Sequence, residues 1–296
     1  MKVSYYPGCT LKTKAKNLES SALAVFDALG IDYKELDRWN CCGAVYSLAD
    51  DDLIHMVAPV RDLIRAKQEG ADTMVTLCSM CYNTIARANE LMRTDEEKRK
   101  TINDFMDEEP DYEGEIKVVH FLNFLKDEIG WDMLKEKIKS PLAGLKVAPY
   151  YGCTLLRPKE VAIDSPDAPK IFEEFIEALG AEVVQFPSAS VCCGSYQAIG
   201  APDAALKVSY DILTDAVSRG ADALILTCPL CDYNLGHRQG KMIEKYENAK
   251  EVPVLYFTQL LAVALGVPVE EIHFELNRKS TVELLKSRNL IEKIPA

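Results

Sequence analysis

Residues 223–231 read ALILTCPLC, and residues 73–81 read TMVTLCSMC. Each stretch begins with a mostly apolar run and ends in a Cys-x-x-Cys pair. A short continuous apolar run is typical of a strand that is covered on both faces, as the strands of parallel sheets are. Because the two stretches lie about 150 residues apart in a chain of 296 residues, the sequence predicts one unit that occurs twice.

The other cysteines follow the same repeat. Each copy contains a single cysteine preceded by glycine, an adjacent cysteine pair followed by glycine, and the Cys-x-x-Cys pair. The first copy holds Cys9, Cys41, Cys42, Cys78 and Cys81, and the second holds Cys153, Cys192, Cys193, Cys228 and Cys231. These two sets account for all 10 cysteines of the chain, which strengthens the interpretation as a duplication.

Each half alternates strands with helices. This pattern predicts an α/β fold with two tandem Rossmann-like domains, each built on a parallel sheet. Pro141 and Gly144 interrupt the helical pattern between the halves. We therefore expect an N-terminal domain over residues 1–143 and a C-terminal domain over residues 144–296, the second ending in a helical tail.

Local signals place some of the elements. In the first half, helices are predicted over roughly 13–29 and 51–69 from their apolar periodicity. In the second half, Asp167 and the proline two residues later predict the start of a helix, and residues 182–186 are predicted to form a strand. Another helix is predicted to begin at Pro202.

Every cysteine group follows a predicted strand, the adjacent pairs after a short loop. Ligands of open parallel sheets bind beyond the carboxyl ends of the strands, so the five sulfurs of each half are expected to meet at one edge. Gly8 and Gly152 precede the first cysteine of each half, where glycine lets the backbone approach a bulky inorganic group. The helices that follow Cys81 and Cys231 would favour thiolate through their N-terminal dipoles.

Composition excludes several classes of protein. The formal net charge is −12, so the chain is a poor general partner for nucleic acid. No apolar signal segment opens the sequence, and its longest apolar stretch, 260–269, is about half of a membrane span. We expect a cytoplasmic protein without a transmembrane segment, in which ten thiols serve as metal ligands or redox groups rather than bridges.

Spacing alone leaves the kind of site open. Structural zinc takes four ligands, and five cysteines in each half would leave one unused twice. An ordinary [4Fe–4S] cubane also takes four thiolates, and the C-x₂-C-x₂-C run that often binds it is absent. A dithiol–disulfide enzyme without metal is a further alternative. The residues thus predict a redox-active metal–sulfur site in two copies.

The pattern Cys-x₃₁-Cys-Cys-Gly-x₃₄-Cys-x-x-Cys, repeated as Cys-x₃₈-Cys-Cys-Gly-x₃₃-Cys-x-x-Cys, resembles the cysteine-rich CCG domain. A chain of two such domains is similar to the B subunits of heterodisulfide reductases from methanogenic archaea. The resemblance covers nearly the whole chain, and the motif is more specific for the domain than for the particular enzyme.

The resemblance implies two noncubane [4Fe–4S] clusters, one bound by each set of five cysteines. It also implies reduction of the mixed disulfide of coenzyme M and coenzyme B to two thiols, a step of methanogenesis. The implied partners are the small iron–sulfur C subunit and the flavin-containing A subunit of such a reductase, together with a hydrogenase. We expect the two clusters to face each other across a crevice, so that each supplies one of the two electrons.

This substrate is anionic, so cations near the cysteines are expected to bind it. Lys12 follows Cys9, and Arg157 follows Cys153 at a nearly matched position. His237 and Arg238 lie one or two helical turns after the last cysteine. These four residues are the predicted substrate-binding candidates, and His120, at the end of a strand, is a candidate proton donor.

The alternative is a CCG iron–sulfur protein that transfers electrons in another oxidoreductase, of the succinate or fumarate, glycolate or glycerol-phosphate type. Such chains often carry a fused ferredoxin-like segment. This sequence has no C-x₂-C-x₂-C-x₃-C-P run, which fits heterodisulfide reductase, whose ordinary clusters lie on other subunits.

Overall fold

The computed structural model describes residues 2–44 and 53–291 of the chain. The strands within these ranges are β1 (Lys2–Tyr6), β2 (Asp32–Glu35), β3 (Thr73–Thr76), β4 (Lys117–His120), β5 (Lys146–Pro149), β6 (Glu182–Val183), β7 (Ala223–Leu226) and β8 (Val254–Tyr256). They form two four-stranded sheets with the orders β2-β1-β3-β4 and β6-β5-β7-β8, and every pairing is parallel. The predicted fold class, two parallel-sheet units related by duplication, is confirmed.

The helices flank these sheets. They are α1 (Lys16–Leu29), α2 (Ile54–Gln68), α3 (Ser79–Thr94), α4 (Glu96–Phe105), α5 (Phe121–Phe124), α6 (Trp131–Lys137), α7 (Ile171–Ala178), α8 (Gln197–Gly200), α9 (Pro202–Ser218), α10 (Pro229–Cys231), α11 (Gln239–Lys245), α12 (Phe257–Leu265) and α13 (Lys279–Ser287). Two π-helical segments, Leu125–Ile129 and Asp232–His237, continue α5 and α10.

The buried strands have the composition that the sequence indicates. All four residues of β7 are buried, because helices cover both faces of a parallel sheet. Helix α9 begins at Pro202, as predicted, since proline at the first helical position removes no helical hydrogen bond. Helix α1 ends at Gly30, whose φ of 72° lies in the left-handed region that glycine adopts at the end of helices.

Three boundaries differ from the prediction. Helix α1 begins at Lys16 rather than at residue 13, because the amides of residues 13–15 all turn back to the carbonyl of Thr10. Helix α7 begins at Ile171, and its amide donates to the carboxylate of Asp164 rather than Asp167, at 2.7 Å. Strand β6 has only two residues. The helix expected over 51–69 has its first two residues outside the described ranges. Within those ranges, α2 begins at Ile54.

The two halves share one hydrophobic core. Phe121 follows β4 and Phe257 follows β8, and their rings lie 6.0 Å apart between the sheets. Helices α1 and α12 also pack against each other, and the hydroxyl of Ser21 donates to that of Thr258 at 2.7 Å. The tail contributes as well, because Asn277 accepts a hydrogen bond from Asn17 of the first half. The domain boundary near residue 143 stays a prediction.

Candidate metal–sulfur centre

The ten cysteines lie where the parallel strands of the two sheets end. Cys78 is the residue before α3, and Cys228 is the residue before α10, so both follow the strand at the centre of their sheet. All ten side chains are free thiols. Burial is uneven along the set: Cys9 and Cys41 are exposed, Cys153 and Cys192 are half-buried, and the remaining six are buried.

Within each half, the sulfurs interact in the same order. In the first half, the sulfurs of Cys9 and Cys41 lie 3.6 Å apart, and those of Cys42 and Cys81 also lie 3.6 Å apart. The order of contacts is the one expected if the halves descend from one unit.

The second half shows the matching contacts. The sulfurs of Cys193 and Cys231 lie 3.5 Å apart, and Cys153 interacts with Cys192. Each of these pairs occupies the position of a pair in the first half.

The two halves meet at Cys78 and Cys228. Each thiol interacts with the other, as well as with the second cysteine of its own Cys-x-x-Cys pair. The ten sulfurs therefore form one continuous row, which we call the sulfur row, in the order Cys9, Cys41, Cys42, Cys81, Cys78, Cys228, Cys231, Cys193, Cys192, Cys153. The inner ends of the two sets are buried and affect each other's pKa, while the expected crevice between two facing sites stays a prediction.

Electrostatics along the sulfur row favour a metal. A sulfur that accepts a hydrogen bond from a neighbouring thiol is stabilised as thiolate, which lowers the pKa of Cys42, Cys192 and Cys228. The partners that keep their protons have a raised pKa, and in Cys9 and Cys153 the cause is the bond to the next cysteine, followed by burial. Negative charge collects at buried sulfurs, and a bound metal cation would neutralise it.

Glycine creates room beside the sulfurs in both halves. Gly8 has a φ of +75°, and a Cβ atom there would lie 3.0 Å from the sulfur of Cys81. Gly152 has a φ of +63°, and a Cβ atom there would lie 3.3 Å from the ring of Tyr150 and 3.7 Å from the sulfur of Cys231. A side chain at either position would occupy space next to the last cysteine of its own half.

A buried tyrosine fixes each adjacent cysteine pair. The hydroxyl of Tyr6 donates to the carbonyl of Asn40 at 2.7 Å, and that of Tyr150 donates to the carbonyl of Val191 at 2.6 Å. Each acceptor is the residue immediately before its cysteine pair. Burial raises the pKa of Tyr6 and Tyr150, and nearby cysteines raise it further, so both phenols stay protonated as donors.

The first half has an additional support that sequence reasoning missed. Asp62 is fully buried on α2, and its carboxylate accepts hydrogen bonds from the backbone amide of Asn40 at 2.8 Å and from the side-chain amide at 3.2 Å. Burial raises the pKa of Asp62 to about 8. A lone aspartate on a predicted helix carries no signal in the sequence that would distinguish it from a surface residue.

Two side chains connect the halves next to the sulfur row. The amide of Asn83 donates to the carbonyls of Thr154 and Arg157, at 2.9 and 2.7 Å, in the loop after Cys153. The hydroxyl of Tyr196 lies 3.1 Å from the sulfur of Met80, within the first Cys-x-x-Cys pair. These contacts fix the relative position of the two cysteine sets.

Two of the predicted cations, Lys12 and Arg157, follow the first cysteine of each half and have different hydrogen-bond partners. The ammonium of Lys12 is 2.7 Å from a carboxylate oxygen of Glu19 and 2.7 Å from one of Glu35. Arg157 is exposed, and its guanidinium donates to the carbonyl of Ser190 at 3.3 Å. Arg157 is therefore the more accessible of the two to an anion.

His237 and Arg238 have separate surroundings. His237 is half-exposed, and its Nε2 atom lies 3.2 Å from the carboxylate of Asp232, a contact that raises the pKa of His237. Arg238 is buried, and its two terminal nitrogens donate to the side chain of Asn234 and to the carbonyl of Pro202. The structure places Arg238 in the interior, while its role in binding substrate stays a prediction.

His120 is held inside the protein. Its Nε2 atom lies 3.0 Å from the carbonyl of Leu77, which can only accept, so Nε2 carries the proton. Its Nδ1 atom accepts from the amide of Leu122 at 3.2 Å and caps α5. Burial lowers the pKa of His120 to about 3, so the ring is neutral near pH 7. The proposed proton donor is thus bonded at both nitrogens, next to the residue that precedes Cys78.

The geometry fits metal ligation by thiolate. Two thiolates on one tetrahedral ion with bonds of about 2.3 Å lie about 3.8 Å apart, close to the separations of the measured sulfur pairs. Soft thiolate ligands select zinc, copper(I) and iron–sulfur clusters. Across residues 2–44 and 53–291, no three His, Cys, Asp or Glu side chains are grouped so as to hold a metal ion. The fit to a metal therefore rests on the distances within the sulfur pairs and on the soft character of thiolate ligands.

Comparison with known proteins agrees with the duplication. The sequence profile of the cysteine-rich domain family CCG matches residues 3–86 and again residues 147–236. Each matched region contains one complete set of five cysteines. None of the helices in the described ranges combines the length and apolar character needed to cross a membrane.

Three similar curated proteins match over more than nine tenths of their length. The 8-methylmenaquinol:fumarate reductase membrane anchor subunit of Wolinella succinogenes is 34% identical over 93% of this chain and 95% of its own. The B subunit of the ferredoxin/F420H2-dependent CoB-CoM heterodisulfide reductase of Methanosarcina acetivorans is 31% identical over 96% of each chain. A protein of Archaeoglobus profundus that is named as similar to the B subunit of heterodisulfide reductase is 29% identical over 92% of this chain and 93% of its own.

A solved structure shares the fold. A hypothetical protein from Helicobacter pylori superposes with a TM-score of 0.75 at 15% sequence identity, over 93% of this chain and 51% of that one. The repeated cysteine sets, the two matched regions and the full-length relatives together place the chain in the family of CCG cysteine-rich domain proteins that includes the B subunits of heterodisulfide reductases.

Proposed function

We propose that each set of five cysteines holds a noncubane [4Fe–4S] cluster and that the chain reduces the coenzyme M–coenzyme B heterodisulfide to two thiols. The continuous sulfur row is the observation that carries this proposal, because it brings all ten thiols of two duplicated sites into one array. Each bound cluster would supply one electron, and cleavage of a disulfide needs two. The duplication therefore matches the electron count of the reaction.

The middle and the ends of the sulfur row would have different roles, electron transfer in the middle and substrate binding at the ends. Cys78 and Cys228 interact in the buried middle, which gives electrons a short path between the halves. Cys9 and Cys41 are exposed at one end, and Cys153 is half-buried at the other, so a substrate sulfur would approach at the ends. His237, whose pKa is raised by Asp232, the residue after Cys231, would hold a proton for a product thiolate.

An anionic substrate needs at least one accessible cation near these ends. Arg157 is exposed in the loop after Cys153 and suits this role, because its guanidinium can bind a sulfonate, phosphate or carboxylate through two hydrogen bonds. The chain would receive its electrons from separate proteins, a small iron–sulfur protein and a flavin protein acting with a hydrogenase. The names of two relatives as B subunits of heterodisulfide reductases support an assembly of several subunits.

The first experiment is anaerobic purification followed by analysis of metal and acid-labile sulfide. Two four-iron clusters predict about eight irons per chain in a brown protein. A colourless protein that contains zinc would reject both the clusters and the reaction. With clusters present, addition of coenzyme M thiol to the oxidised protein should change its paramagnetic signal.

A second function is favoured by a specific comparison. The 34% identical Wolinella protein belongs to a fumarate reductase, so this chain could transfer electrons between a partner and another acceptor. The pairing of Lys12 with two carboxylates also leaves less positive charge for an anionic disulfide. Clusters that pass electrons to an artificial acceptor, together with a signal that coenzyme M thiol does not change, would support this alternative.

A further inference from the structure

The two halves differ in what surrounds the second cysteine of the adjacent pair. In the second half, the side-chain amide of Asn234 lies 3.7 Å from the sulfur of Cys193 and donates to its carbonyl at 3.2 Å. Asn234 is fully buried, and the hydroxyl of Ser209 also donates to the carbonyl of Cys193, at 3.0 Å. Cys193 is thus held in place and receives an N–H···S contact from a side chain.

Arg238 fixes the orientation of that amide. One terminal nitrogen of Arg238 donates to the side-chain oxygen of Asn234 at 3.1 Å, and the other donates to the carbonyl of Pro202 at 2.7 Å. A guanidinium can only donate, so it holds the oxygen of Asn234 on its own side and leaves the NH₂ group facing Cys193. Arg238 and Asn234 therefore act as one unit, the Arg238–Asn234 pair.

The pair also brings a positive charge into the interior. The Arg238 side chain is buried, and charge interactions are stronger inside a protein than in water. Asp203 lies close enough for Arg238 to affect it, but the pKa of Asp203 is lowered first by its bond to Lys245, at 2.8 Å, and only then by Arg238. Arg238 hydrogen-bonds to Asn234 and to the carbonyl of Pro202, and it is separated from the sulfur of Cys193 by the amide of Asn234.

The first half has different residues at the matching positions. When Cys81 is aligned with Cys231, Thr84 takes the place of Asn234, three residues after the cysteine. The hydroxyl of Thr84 donates to the carbonyl of Met80, within its own helix, at 3.0 Å. The duplication has therefore kept the ten cysteines and changed the residue that donates to Cys193.

The backbone differs in the same place. In the first half, α3 continues as a regular helix from Ser79 to Thr94, whereas in the second half the residues from Asp232 to His237 form a π-helical segment. A π-helical turn contains an extra residue and often marks a functional site. By contrast, the glycine after each cysteine pair gives its amide to the first cysteine of the pair in both halves.

We propose that the Arg238–Asn234 pair raises the reduction potential of the site in the second half above that of the site in the first half. Hydrogen bonds to sulfur and nearby positive charge stabilise the reduced state, which carries more negative charge. The first electron to enter the chain then settles beside Cys193, and the second occupies the other site. This inference rests on the part of the proposed function that places a cluster in each half.

The test is an anaerobic redox titration of the purified protein, with its paramagnetic signals as the readout. The wild type is expected to show two one-electron transitions, and Cys153→Ser, which removes a ligand of the second site, identifies the higher one. Asn234→Thr copies the residue of the first half, and Arg238→Gln removes the positive charge. Each should lower the potential of the higher transition. A tenfold change in the one-electron equilibrium corresponds to about 59 mV, which is the expected size of each shift.

Two further variants control for damage to the fold. Arg238→Lys keeps the charge and should leave the higher transition near its wild-type value. Asn89→Thr removes a buried amide that donates to the carbonyl of Ile116 at 2.9 Å, and both transitions should stay in place. If Asn234→Thr does not fold, the two Arg238 variants still decide the question.

Three results would overturn the inference while leaving the clusters established. These are a single shared potential in the wild type, an unchanged upper transition in Arg238→Gln, or an equal shift of both transitions. A protein without iron would instead overturn the proposed function, and metal analysis of the same samples separates this case.

Discussion

Cys78 and Cys228 come from opposite halves of the chain, and their side chains interact at the buried centre of the sulfur row. Each belongs to the Cys-x-x-Cys pair that follows the central strand of its own sheet. Because each affects the pKa of the other, we expect the two sites to be coupled. A change at either residue should be felt in both halves, whereas a change at an outer cysteine should be felt in one.

The first prediction compares an inner with an outer cysteine. Cys78→Ser is expected to alter the paramagnetic signals of both sites, because Cys78 and Cys228 affect each other's pKa across the two halves. Cys9→Ser should reduce the iron content by about half and leave the signal of the second half unchanged, because the sulfur contacts of Cys9 among the described residues lie in its own half. The measurement is iron analysis and spectroscopy of both variants, and identical spectra for the two would argue against coupling through the centre.

The second prediction concerns the space beside Cys81. Gly8→Ala places a Cβ atom 3.0 Å from the sulfur of Cys81 and also strains a residue whose φ is +75°. Gly30→Ala is the matched control, since its φ is +72° and no atom lies within 4 Å of the added Cβ. Both variants should lose about 1–2 kcal/mol of unfolding free energy from backbone strain, and only Gly8→Ala should also lose iron.

Denaturant unfolding and iron analysis measure the two effects separately. Equal iron contents in the two alanine variants would show that the space beside Cys81 has no part in binding the metal.

The third prediction tests the tyrosine hydrogen bonds. Tyr6→Phe removes the donor to the carbonyl of Asn40, and Tyr150→Phe removes the donor to that of Val191. Each should cost about 1–2 kcal/mol of unfolding free energy, because a buried carbonyl loses its partner. Each variant should also release iron faster to a chelator, and only from its own half.

Tyr210→Phe is a suitable control for these variants, because Tyr210 stacks on Tyr246 away from the cysteines. Release of iron from both halves of Tyr6→Phe at the same rate would contradict the local role of the bond.

The sequence was sufficient for the fold and for the grouping of the cysteines, because both rest on a repeated pattern. Apolar runs such as 223–226 predict buried strands, and the carboxyl ends of parallel strands bring the cysteines together. The pattern could not reveal how the halves are oriented, because the packing between them, such as that of Phe121 against Phe257, is tertiary.

The supporting residues were harder to predict, for a physical reason. Asp62 and Asn234 support residues at the cysteine pairs from distant parts of the chain, and their role depends on complete burial. A polar residue on a predicted helix is usually exposed, so its type and position carry no sign of burial. Comparison of the two halves would have drawn attention to Asn234, because its counterpart is Thr84.

The fourth prediction is a pH dependence. Burial raises the pKa of Asp62 to about 8, above its ordinary value of 3.8, so the folded state holds this proton more tightly than the unfolded state. The resulting stability is fully present below about pH 4 and is lost as the pH rises toward 8. Asp62→Asn keeps a neutral side chain at every pH, so the variant should lose less stability than the wild type between pH 5 and 8.

The measurement is the unfolding free energy from denaturant titrations at several pH values. The unfolding free energy of the wild type should fall with pH more steeply than that of Asp62→Asn, by up to about 1.4 kcal/mol per pH unit. Parallel curves for the two proteins would mean that Asp62 is ionised in the folded state.

The last prediction separates the two cations near the first cysteines. Arg157 is exposed and makes one hydrogen bond to a carbonyl, whereas Lys12 is paired with Glu19 and Glu35. Loss of a charge-assisted hydrogen bond costs about 1.5–3 kcal/mol, so Arg157→Gln should raise the KM for an anionic disulfide at least about tenfold. Lys12→Gln should leave KM unchanged, because carboxylates already occupy its charge. Steady-state kinetics at two salt concentrations measure both variants, and a larger effect of Lys12→Gln would place the anion at the first site instead.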